Sequence, residues 1–131
     1  VKLLLDTHIW IWLALEPEKL TGTVRRALQK PEVELWLSSI SLWELVILVE
    51  KGRVQLEHEV GRWIQDTLKA VPMHEAPLTH DIVLESRRIT LPHRDPVDRF
   101  LVATARVLEL KLVTADERLL KSGAVPMVAN R

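Results

Sequence analysis

Four acidic residues define the chemistry open to this chain: Asp6, Glu44, Asp98 and Asp116. Each stands where an apolar run has just ended or a helix has just begun. Taken singly, three of them have ordinary structural roles. Glu44 closes the pattern Ser41-Leu42-Trp43-Glu44, a capping box in which the glutamate bonds back to the Ser41 amide. Asp98 falls in the first turn of a helix, where negative charge complements the macrodipole. Asp116, between Ala115 and Glu117, suits a turn or a cap. Asp6 is harder to account for this way, because an acid directly after a buried apolar strand needs a partner. The set says more than its members. Two carboxylates about 4 Å apart repel by about 4 kcal/mol at an effective dielectric near 20, so a fold that gathers four of them needs protons or cations to offset the repulsion. Mg²⁺ and Mn²⁺ are the natural choice, being hard ions that prefer carboxylate oxygen. Such a site acidifies bound water and clamps phosphoryl oxygens, the arrangement used for phosphodiester hydrolysis.

The elements that must position these acids can be read from the same chain. Lys2 to Leu5 is a short buried strand ending at Asp6, and Thr7 to Leu15 follows as a largely buried helix closed by Pro17. Thr21 caps a helix running to Gln29, Glu34 to Ser38 is a second strand, and Ser41 to Lys51 a third helix stopped by Gly52. His58 to Val71 is helical, Val71 to Pro77 weakly extended, and Thr79 to Ile89 a further capped helix. The stretch Leu91 to Leu108 carries the clearest signals: Asp95 is a preferred N-cap and Pro96 suits the first helical position. Val97, Leu101, Thr104 and Leu108 then share one face of the helix. Lys111 to Thr114 is a strand ending just before Asp116, Glu117 to Lys121 a short helix, and Val125 to Val128 a last strand. Apolar strands alternating with helices predict an α/β domain with a mainly parallel sheet, and no linker divides residues 1–131. Ligands of such sheets bind beyond the carboxyl ends of the strands, which is where all four acids are expected.

Composition narrows the alternatives. Eighteen basic and eighteen acidic residues cancel, so any contact with nucleic acid must be local. Cysteine is absent, which removes disulfides, thiolate zinc sites and cysteine nucleophiles and fits a cytoplasmic protein. The apolar runs are too short to span a bilayer, and no signal peptide is expected. His8, His58, His74, His80 and His93 show no ligand spacing for zinc, and His8 is the one placed near Asp6. The absence of Gly-rich phosphate loops removes nucleotide-cofactor readings. Asp6 is followed by Thr7 and His8, which lacks the acidic pair or Asp-x-Asp of phosphoaspartyl proteins.

The segments LLLDTHIWIW, SISLWEL, HRDPVDRFLVATA and LVTADERL together resemble the PIN-domain ribonucleases, and most of all their small bacterial members, the VapC toxins of VapBC toxin–antitoxin pairs. The resemblance covers nearly the whole chain, with the motifs in the family's order. It implies a PIN-like three-layer fold with a mainly parallel central sheet flanked by helices. It further implies Mg²⁺- or Mn²⁺-dependent endoribonuclease activity through metal-activated water, with Asp6, Glu44, Asp98 and Asp116 as catalytic and metal-binding acids. Asp95 is a second candidate ligand in the same turn as Asp98, although a capping carboxylate has already committed an oxygen to backbone amides. The partners implied are RNA, a VapB-like antitoxin and a second copy of the chain. Arg94 and Arg99, and less directly Arg87 and Arg88, are the cations placed to meet RNA phosphates. Trp10, Trp12 and the apolar helix from Leu42 to Val49 are the expected docking surface for an antitoxin helix or second subunit. The alternative is a catalytically weak module of the same fold that only binds RNA or antitoxin; the presence of all four acids argues against it.

Overall fold

The computed structural model describes residues Val1–Arg131. Five strands form one sheet: β1 (Lys2–Leu5), β2 (Glu34–Ser38), β3 (His74–Ala76), β4 (Lys111–Thr114) and β5 (Met127–Ala129), in the order β3-β2-β1-β4-β5. Every pair is parallel, with Leu3 opposite Leu35 on one side and Lys111 on the other. Parallel neighbours need crossover connections, and helices provide them. These are α1 (Thr7–Leu15), α2 (Gly22–Gln29), α3 (Ser39–Glu50), α4 (Val60–Ala70), α5 (His80–Ser86), α6 (Pro96–Leu108) and α7 (Glu117–Ser122), with a 3₁₀ turn at Pro17–Lys19.

Strand alternation sorts the core into two. Leu3, Leu5, Leu35, Leu37 and Val113 pack with Ile9, Trp10, Val24 and Leu45 of α1 to α3, and Trp63 and Leu68 of α4 lie against them. Leu4 and Leu112 point the other way, onto Ile82, Leu101, Val102 and Leu119 of α5 to α7. The result is the three-layer α/β arrangement expected from the sequence, with strands buried on both faces as parallel sheets require. Asn130, just beyond β5, ties that edge to the connection between α1 and α2, far away in sequence. Its Oδ1 accepts from the Thr21 amide at 2.7 Å and its Nδ2 donates to the Lys19 carbonyl at 3.1 Å.

Differences from expectation lie at element ends and follow from capping. The helix expected from Ser41 starts at Ser39, because the Ser38 hydroxyl accepts from the Ile40 amide at 3.1 Å. Glu59 caps α4, accepting from the Gly61 amide, so that helix begins at Val60 rather than His58. The helix expected to reach Ile89 ends at Ser86. The last strand is shifted along the chain to Met127–Ala129, set by pairing with Leu112 to Thr114.

Candidate functional site

From β1 the chain steps one way to β2 and β3, and the other way to β4 and β5. The switch point lies between β1 and β4, where two neighbouring crossovers leave a crevice at the strands' carboxyl ends. Asp6 and Asp116 follow those two strands. Asp6 occupies the N-cap position of α1 but its side chain caps nothing. Its Oδ2 instead accepts from the Thr114 hydroxyl of β4 at 2.7 Å, while its amide donates to the Val113 carbonyl at 3.0 Å. The Thr7 hydroxyl donates to Ser41 Oγ at 2.9 Å, a buried link that sets α3 beside the start of α1. Ser41 is therefore inside the helix and buried, and the capping-box reading of Glu44 falls. Glu44 lies in α3, close enough for its charge to bear on Asp6.

Helix α6 supplies the third wall. Asp95 caps it, accepting from the Val97 amide at 2.9 Å, and Asp98 is buried in its first turn. Asp116 caps α7, accepting from the Arg118 amide at 2.8 Å, and the Arg118 Nη2 donates to its other oxygen at 3.1 Å. Asp6, Glu44, Asp95, Asp98 and Asp116 line one cleft of about 290 Å³, with His8, Trp12, Ala115 and Arg118 completing it.

The electrostatics divide the acids. Burial pushes Asp6 up to about 6; the Thr114 hydrogen bond opposes this, and the charges of Asp98 and Glu44 add to it. Burial also raises Asp98, against a hydrogen bond from His93 and with the charges of Asp95 and Asp116. Burial acts on Asp116 in the same sense, but the Arg118 side chain and amide outweigh it and hold that carboxyl below its usual range. Asp6 and Asp98 thus carry more negative charge than their burial favours, and no Lys or Arg reaches either one. The donor set is almost wholly carboxylate oxygen around an open cleft, which fits a hard divalent cation with room for water. Asp6, Glu44, Asp98 and Asp116 are the acids that could hold it, with Asp116 sharing its charge with Arg118.

Several residues stand differently from the sequence reading. Arg99 does not face the cleft; its Nη1 donates to the Ser86 and Ile89 carbonyls at 3.1 and 2.8 Å, closing the end of α5. It is a structural cation, and the expectation that it meets phosphate is withdrawn. Arg94 is exposed and makes no hydrogen bond. Arg118, unmarked in the sequence reading, is the only cation lining the cleft. Its spacing two residues after a capping aspartate was the available signal. His93 was passed over as well: its Nε2 lies 2.6 Å from Asp98 Oδ2, and one of its ring nitrogens lies within 4.8 Å of a carboxylate oxygen of both Asp98 and Asp116. Trp10 is 1% exposed and edge-on to Trp63, forming the floor of an apolar groove between α1 and α4, whereas Trp43 is 55% exposed on α3.

An α/β domain with an acidic cleft at its switch point is the class that fold and site define. The chain belongs to the PIN domain family, whose model matches residues 3–124. It is 34% identical over 119 residues to Ribonuclease VapC22 of Mycobacterium tuberculosis, covering 88% of each chain. Its fold is also that of VapBC2 from Rickettsia felis, solved bound to a DNA fragment from their promoter (TM-score 0.75, 14% identity, 98% of each chain covered). VapBC-5 of Mycobacterium tuberculosis, a member of the VapBC family of toxin–antitoxin systems, matches with a TM-score of 0.61 at 17% identity, again over 98% of each chain.

Proposed function

We propose that this protein is an endoribonuclease toxin of a toxin–antitoxin pair, hydrolysing RNA phosphodiester bonds with Mg²⁺ or Mn²⁺ held by Asp6, Glu44, Asp98 and Asp116. The observation that carries the reading is the convergence of these four acids on one cleft, in a chain whose relative is a ribonuclease. A divalent cation, when bound, supplies charge to a phosphoryl oxygen and a more acidic water. The chain's own part is positional. Thr114 orients the Asp6 carboxylate, the Thr7–Ser41 link sets α3 beside α1, and the Asp95 cap fixes the turn that carries Asp98. Arg118, at the rim, offers charge to a phosphate and keeps Asp116 ionised. In the net reaction the water oxygen bonds to phosphorus and the bond from phosphorus to the ribose 3′ oxygen breaks. The products then carry a 5′-phosphate and a 3′-hydroxyl.

The proposed partners are a VapB-like antitoxin and a second copy of the chain. Exposed Trp43 and an apolar groove lined by Leu13, Ala14, Ala70, Val71 and Met73 between α1 and α4 are the surfaces suited to them. No helix is long and apolar enough to cross a membrane. The test is cleavage of total RNA with Mg²⁺ or Mn²⁺ and with EDTA, followed by end mapping. Asp6→Asn and Asp98→Asn should each lower the rate at least 100-fold; full activity in both variants would refute the proposal.

A further inference from the structure

We propose that His93 is the positioning residue of the cation site, a hydrogen-bond donor behind Asp98 that fixes how this carboxylate faces the cleft, and not itself a ligand. The inference rests on the reading that the cleft holds a divalent cation. His93 Nε2 lies 2.6 Å from Asp98 Oδ2, and the two side chains are only 10% and 9% exposed. Asp98 lines the cleft and His93 does not. The imidazole therefore stands on the protein side of the carboxylate, with the cleft on the other.

The chemistry of the pair assigns the roles. A carboxylate that holds a cation is ionised, and an ionised carboxylate only accepts hydrogen bonds. The nitrogen facing it must then carry the hydrogen, which leaves that nitrogen no lone pair for a metal. Nδ1 is buried without a partner. An unmet donor and an unmet acceptor are both penalised there, so Nδ1 gives no reason to move the hydrogen away from Nε2. The ionised carboxylate therefore fixes the tautomer, with the hydrogen on Nε2. A His93 nitrogen within 4.8 Å of Asp98 and Asp116 oxygens would also suit a three-ligand metal group, but Nε2 stands against an Asp98 oxygen and Nδ1 is buried, so neither faces the open cleft.

The local chain shows how a loop residue holds this place. His93 precedes the cap Asp95 by two positions, and Asp98 is the third residue of α6. Chain entering a helix often folds a residue ahead of the cap back onto the first turn, usually as an apolar pair; here the pair is polar. Pro92 and Pro96 flank the segment and restrict its backbone. Without the donor, Asp98 would turn freely under the repulsion of Asp95 and Asp116. Partners behind a ligating group commonly change metal affinity 10- to 100-fold when removed.

The test is Mn²⁺ binding to the full chain, followed by electron paramagnetic resonance. Wild type is compared with His93→Ala, His93→Leu and His93→Gln, after metal-free melting curves establish that each variant folds. His93→Leu fills the space without a donor and stands in if His93→Ala does not fold, while His93→Gln retains an N–H. The donor-free variants should bind Mn²⁺ about 10- to 100-fold more weakly, and His93→Gln should recover most of the loss. Electron spin-echo spectra of the wild-type Mn²⁺ complex should show no directly coordinated nitrogen. Unchanged affinity without the donor, no recovery in His93→Gln, or a directly bound ¹⁴N signal would each overturn the assignment. A wild type that binds no Mn²⁺ would overturn the cation-site reading and this inference with it. Failure to cleave RNA with Mn²⁺ binding intact would remove the proposed function alone.

Discussion

Asp6 is the residue at which stability and function oppose each other. Its carboxyl is raised from 3.8 to about 6, mainly by burial. The folded chain holds this proton more tightly than the unfolded chain does. The stabilisation it gives is therefore full below about pH 4 and is lost as pH rises towards 6; at neutral pH a buried, ionised Asp6 costs about 3 kcal/mol in the metal-free protein. Asn fits the same place and can still accept from Thr114. Metal-free Asp6→Asn should therefore melt higher than wild type at pH 7, by an amount approaching that figure, and the gap should close by pH 4. Melting curves in EDTA across this range test the expectation, and equal melting temperatures at pH 7 would refute it. Asp6 was legible in the sequence because a carboxyl directly after a buried apolar strand is costly unless a donor or an ion meets it. Arg99 was misplaced for a matching reason. Adjacency to Asp98 in sequence does not give direction on a helix, where successive residues point about 100° apart, and here it points to the end of α5. His93 was illegible because nothing in Pro92-His93-Arg94-Asp95 says which way the loop folds back.

At the level of elements, nearly every strand and helix was readable, because apolar runs, caps and prolines agreed with one another. What could not be read was which of two neighbouring hydroxyls would cap α3. Ser38 and Ser41 both suit the role, and the choice was made by the buried bond between Thr7 and Ser41, a contact between segments far apart in sequence. Helix α6 offers the sharpest test of such assignments, because its two acids have separable jobs. Asp95 holds the helix start and Asp98 faces the cleft. Asp95→Ala should cost about 1 kcal/mol of stability through the lost cap and change Mn²⁺ affinity only a few-fold. Asp98→Asn should leave metal-free stability level or higher, since burial disfavours its charge, while lowering Mn²⁺ affinity at least 10-fold. Melting and metal titration on the two variants check this, and a reversed pattern would exchange the roles.

The whole molecule sets a further problem: a chain of zero net charge, with five acids around its cleft, must attract a polyanion. The cations that answer it lie beside the cleft. Arg118 lines the acidic cleft and also a neighbouring groove bounded by Thr90, Leu91, Pro92, Lys121 and Ser122, which contains no acid. A strand whose reacting phosphate sits among the acids meets positive charge in that direction, and exposed Arg94 stands just before the capping Asp95. Each phosphate contact on single-stranded nucleic acid contributes about 0.7 to the slope of log affinity against log salt. Lys121→Ala should therefore weaken binding of a non-cleavable RNA and lower that slope by about 0.7, with no change in melting temperature. Arg99→Ala should do the opposite. Its guanidinium holds two backbone carbonyls, so its loss should cost about 2 kcal/mol of stability and leave the salt slope unchanged. Titrations at several salt concentrations distinguish the two. A salt slope that fell with Arg99 and not with Lys121 would route the strand over α5 instead of α7.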